Sequence, residues 1–109
     1  MAGKDKRDLF AKMHLSFIDS GLLAALNKDA GPGAVIALLV LVYHMDEQGV
    51  SFPSQELIGK EAGVSRETAG NWIRRLLLFR WNGEPIVSFT KQENERGNLR
   101  YVYYVQPRS

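Results

Sequence analysis

The chain has 109 residues, 45% of them hydrophobic and 24% charged, which is ordinary composition and enough length for one domain around one core. It contains no cysteine, and its two histidines, His14 and His44, stand far apart; a disulfide framework, a thiolate zinc site and an enzyme with its own cofactor domain are therefore excluded. The net charge is +2 and the isoelectric point is near 9.0, a mildly basic balance that agrees with an anionic partner.

Residues 1–8 read as a flexible tail of mixed charge, with Lys4, Lys6 and Arg7, and with Lys12 just beyond, as a solubilising arm or one lying near DNA. Nothing there forms the apolar stretch of a signal peptide, so a cytoplasmic location is expected, associated with nucleoid or plasmid. Residues 9–30 read as a helical or extended extension. Phe10, Met13, Phe17 and Ile18 recur at spacings near three and four, and Asp19 and Ser20 offer N-caps for a short helical stretch over Leu22 to Leu26. Lys28 to Gly33 is a loop by composition. The run Ala34 to Tyr43 is the most apolar, about half of what a bilayer span needs, and predicts a central buried helix over Ala34 to Met45, with no membrane partner. Asp46-Glu47-Gln48-Gly49 stops it, and Val50-Ser51-Phe52 alternates like one small strand.

A helix follows from Ser54, its N-cap, to about Ala62, and another from Ser65 to about Phe79. Glu56 and Glu67 stand in their first turns, where a negative charge suits the helix dipole. Arg80 to Pro85 is a connector, Ile86 to Lys91 and Leu99 to Gln106 are strands, and Gln92 to Asn98 is the hairpin loop between them. Leu99, Tyr101, Tyr103 and Val105 share one face of the second strand. The charge is uneven along this layout: residues 15–63 carry two basic and six acidic groups, whereas residues 64–80 carry four arginines and one glutamate.

The informative stretch is Gln55 to Leu76, QELIGKEAGVSRETAGNWIRRL. Two helices are joined by the short turn Gly63-Val64-Ser65. Gly63 tolerates the positive φ of a sharp reversal, Gly59 is small enough for close approach, and Ala69, Trp72, Ile73 and Leu76 line one face of the second helix. These are the requirements of a helix-turn-helix. The segment FPSQELIGKEAGVSRETAGNWIRRLL resembles the winged version found in bacterial plasmid and phage replication proteins and in small transcription regulators, and is similar to the motif of GntR-type regulators. The resemblance covers residues 52–77 in motif and 32–106 in layout. It implies a mainly α fold with a small β-hairpin wing (α+β), a winged helix-turn-helix domain over residues 31–109, with the helix-turn-helix at 54–79 and the wing at 86–106.

The resemblance also implies a double-stranded DNA partner, with the second helix in the major groove and no cofactor. Arg66 has the planar fork for guanine and Asn71 the amide for adenine; Thr68 suits a thymine methyl or a phosphate, Ser65 and Gly70 lie on the same side, and Arg74 and Arg75 suit phosphates one turn further on. Ser54 and Gln55, at a helix N-terminus, fit a phosphate. Lys91, Asn94, Arg96, Asn98 and Arg100 put polar and basic groups on the wing, with Glu93 and Glu95 beside them as ready ion-pair partners. Trp72 reads as core; Trp81, Tyr101, Tyr103 and Tyr104 as sheet packing, with a DNA or dimer contact as the alternative; His14 and His44 as structural or exposed. The expected role is regulation of transcription or initiation of plasmid or phage replication, with a replication or transcription protein as a further partner. A homodimer, or tandem binding on repeated sites, would double the half-site; Phe10 to Leu26 and Leu77 to Trp81 are candidate dimer surfaces. The alternative, favoured by the acidic 15–63 segment, is a winged-helix module that binds protein instead of DNA. No pair of groups has the setting of a catalytic nucleophile and base, so an enzyme is not expected.

Overall fold

The computed structural model describes residues 20–105; the tail, the extension as far as Asp19, and Gln106 with the three residues after it lie outside the described residues. The fold is α+β, with helices α1 (Leu22–Ala30), α2 (Pro32–His44), α3 (Gln55–Ala62) and α4 (Arg66–Leu78) and a small antiparallel sheet.

The loop expected over Lys28 to Gly33 contracts to the single residue Gly31. Helix α1 continues through Ala30, because Leu22, Leu26 and Ala30 fall on one face and bury together, and this packing overrides the turn-like composition of Lys28 and Asp29. Its N-cap is Gly21, where Asp19 or Ser20 was expected, although the Ser20 hydroxyl still accepts a hydrogen bond from the Leu22 amide. Pro32 opens α2 at its first position, where its missing N–H costs nothing. Helix α2 buries Ala34, Ala37, Leu38, Leu41 and Val42 and packs against α1, α3 and α4. Its β-branched residues do not make it a strand, because that packing outweighs their local preference.

The Asp46 carboxylate accepts from the amides of Gln48 and Val50 and closes the turn after α2. That turn delivers β1 (Val50–Ser51), where the Ser51 hydroxyl, fully buried, donates to the Leu41 carbonyl at 2.9 Å. Strand β1 pairs with β5 (Leu99–Val105), and β5 with β4 (Val87–Glu93), all antiparallel, in the order β1-β5-β4. The hairpin register runs from Val87 opposite Val105 to Glu93 opposite Leu99. The connector expected over Arg80 to Pro85 is itself a small hairpin, β2 (Arg80–Trp81) with β3 (Glu84–Pro85), turned by Asn82 and Gly83, both at positive φ. Asn-Gly is the favoured pair for such a two-residue turn.

One core joins the helices to the base of the sheet: Leu38, Leu41, Ile58, Ala69, Ile73, Leu76, Ile86, Val87 and Tyr103 are all buried in it. Leu99, Tyr101, Tyr103 and Val105 share one face of β5 as expected; the face is buried at its base, at Tyr103 and Val105, and open at its far end. Leu99 is 66% exposed, since the hairpin runs out beyond the helices that would cover it.

Candidate nucleic-acid interface

Local chemistry fixes the two-helix unit. Ser54 caps α3 by accepting from the Leu57 amide, and Ser65 caps α4 by accepting from the Thr68 amide, each at 3.1 Å. Between them Gly63 takes a left-handed φ of 77°. Gly59 matters through the turn: a Cβ there would stand 2.8 Å from the Val64 carbonyl oxygen, so the turn folds back onto α3 only because that position is bare. Ala69, Ile73 and Leu76 anchor α4 in the core, and half-buried Trp72 packs against it.

The opposite side of α4 is open. Arg66, Glu67, Asn71, Arg74 and Arg75 are exposed. Arg74 donates to the Asn71 side-chain oxygen at 2.8 Å, which holds the two side chains together. Arg75 lies on the other flank of Asn71 and turns toward Gly31, at the C-terminal end of α1, along a cleft of about 670 Å³ that Lys28 and Arg80 also line. Arg80, part of the cationic segment, is exposed but folded back on the helix end: it donates to the Leu77 and Phe79 carbonyls and caps α4. The Ser65 hydroxyl donates to the Thr68 hydroxyl, so both are engaged within the first turn.

Gly70 faces the Gln55 side chain, whose oxygen would lie 3.0 Å from an added Cβ. Gln55 in turn faces Tyr103 without reaching hydrogen-bond geometry, and the Tyr103 hydroxyl has no partner among the described residues. Burial pushes that hydroxyl up to about 12; Tyr101 adds to the rise and Gln55 opposes it.

On the hairpin, Lys91, Arg96, Asn98 and Arg100 are all exposed. Asn94 organises the tip by accepting from the Arg96 and Asn98 amides. Glu93 and Glu95 do not neutralise the hairpin cations: among the described residues the one ion pair joins His44 to Glu61, away from this face. The cations rest on rings instead. Lys91 lies 5.5 Å from the Tyr101 centroid and Arg100 4.5 Å from that of Phe52. Phe52, Phe89 and Tyr101 are absent from the site predicted from sequence; the one local sign of them was an aromatic residue within two positions of a basic one, Phe89 with Lys91 and Tyr101 with Arg100.

No helix among the described residues is long and apolar enough to cross a membrane, and no group of three or more acidic or histidine side chains there could hold a metal ion. No protein-family model, curated protein or solved structure matches the chain.

Proposed function

We infer that the chain is a double-stranded DNA-binding protein that reads sequence with α4, and that α3, α4 and the β4–β5 hairpin act as a winged helix-turn-helix. The observation that carries this reading is the set of exposed cations without carboxylate partners among the described residues, Arg66, Arg74 and Arg75 on α4 and Lys91, Arg96 and Arg100 on the hairpin. Those on α4 stand around the exposed Asn71 side chain, on a helix whose other face is fixed in the core. Arg66 and Asn71 act as base readers near the start of α4. Arg74, Arg75, Lys91 and Arg96 meet phosphates, as does the α3 N-terminus at Ser54 and Gln55, and Asn98 contributes at the hairpin tip. A role in transcriptional regulation or in replication initiation follows from the resemblance of the motif.

Replacing both Arg66 and Asn71 by Ala tests the assignment. DNA affinity should fall by about 10-fold or more, since each good base contact is worth about 1–3 kcal/mol, while the melting temperature stays unchanged because both side chains are exposed. Undiminished specific binding by the double variant would remove α4 as the reading helix.

A second reading has its own support. Ile36, Leu39 and Tyr43 leave one side of α2 exposed, beside an apolar groove lined by Leu23, Ala24 and Val35. Such a surface suits a protein contact. It lies on other helices than the cationic face, so it fits a DNA-binding protein with a protein partner as well as a protein-binding module.

A further inference from the structure

The hairpin carries more aromatic surface than the sheet needs. The Phe89 and Tyr101 rings stack nearly parallel, 9° apart in plane and 5.3 Å between centroids, on the side of the sheet that continues into the core. Phe89 is nonetheless 43% exposed: it lies on β4, an outer strand of the sheet, while Tyr103, opposite it on the central strand, is buried. Lys91, directly across from Tyr101 in the register, holds its ammonium over the same ring. Tyr101 leads on to Tyr103, 6.1 Å away, and Tyr103 faces Gln55, which packs on Gly70. A row of rings therefore runs from the exposed hairpin to the foot of α4.

We propose that Phe89 and Tyr101, with Lys91, form a stacking platform for an unpaired nucleotide, so that the preferred ligand is duplex DNA adjoining a single-stranded segment. This rests on the DNA-binding reading above and names its substrate more closely. The chemistry is that of sheet-surface recognition of single strands: every base has a π-face that stacks on an exposed ring, and a cation beside the ring takes the neighbouring phosphate. Bases inside an intact duplex are already stacked on each other and have no face free for Phe89. Glu93 lies on the same side but two residues further out, opposite Leu99, so the phosphate position is at Lys91 and not at the tip.

The test compares a blunt duplex with the same duplex carrying a single-stranded oligothymidine tail, using the full chain. The wild type binds the tailed form tighter by about 10-fold, the order expected for one stacked base. Phe89→Leu, which keeps apolar bulk but has no ring, abolishes the preference and leaves blunt-duplex affinity unchanged; Phe89→Trp retains it. Lys91→Gln lowers the salt dependence on tailed DNA by about one unit of slope. Equal affinity of the wild type for both DNAs, or a preference that survives Phe89→Leu, overturns the platform while leaving duplex recognition standing. Failure to bind either DNA overturns the DNA-binding reading together with it.

Discussion

Ser65 shows how much one side chain settles. Its hydroxyl accepts from the Thr68 amide and donates to the Thr68 hydroxyl, so it fixes where α4 begins and which residues stand in its first turn. Ser65→Ala should cost about 1 kcal/mol of unfolding free energy, read from a denaturant titration. Tyr103 makes the opposite case, a buried hydroxyl with no hydrogen-bond partner among the described residues. Removing it should cost nothing: Tyr103→Phe is expected to match or exceed the wild-type melting temperature at neutral pH. The two proteins should part at high pH. The Tyr103 hydroxyl titrates near 10.0 when unfolded and at about 12 when folded, so the unfolded chain gives up its proton first. The stability linked to that proton is fully present below pH 10.0 and is lost as pH rises toward about 12. The wild type should therefore lose stability relative to Tyr103→Phe across that window, and parallel pH curves would contradict the burial of the hydroxyl. Caps of this kind are legible in sequence, because a serine and the amide it accepts from are three residues apart. Tyr103 is not, because its burial depends on packing of the sheet against helices such as α2, reached only through the fold.

At the level of elements, what was readable again followed sequence distance. The α3–turn–α4 unit stands out from Gln55 to Leu76 because its caps, its glycine turn and its apolar spacing are all local. The extent of α1 does not, since Ala30 joins the helix through packing with α2 while its neighbours look like a loop. The β2–β3 hairpin was readable from Asn82-Gly83 and passed as a connector because each strand has only two residues. Two glycines in the helix pair give predictions of opposite sign. Gly59→Ala drives a methyl group into the Val64 carbonyl, which belongs to the turn and has no room to move, so stability should fall by about 1–3 kcal/mol. Gly70→Ala meets only the flexible end of Gln55 and gains about 1 kcal/mol of helix propensity, so its melting temperature should rise or hold. Thermal unfolding of both variants decides; a destabilised Gly70→Ala would mean that Gln55 is held rigidly in place.

Across the whole molecule, charge divides the surface. The acidic 15–63 segment includes α1, α2 and all of α3, while six exposed cations with no ion pair among the described residues gather on α4 and the hairpin. An apolar surface remains on α1 and α2, so a contact with protein and a contact with DNA need not compete for the same residues. The cationic segment was visible in the sequence, but the sorting of its members was not: Arg80 folds back to cap α4, Arg75 turns to α1, and Arg74 binds Asn71. The aromatic side of the hairpin was equally hidden, because only the strand order and register show which rings lie at the sheet's open edge.

The most direct test of the central claim is selection from a pool of random double-stranded DNA, followed by sequencing, with affinity measured at two salt concentrations. A DNA reader of this kind enriches a defined motif and binds more weakly as salt rises, in proportion to the phosphates neutralised by Arg74, Arg75, Lys91 and Arg96. Salt-sensitive binding without an enriched motif would remove the base-reading roles of Arg66 and Asn71, and absence of binding at low salt would contradict DNA recognition by this chain altogether.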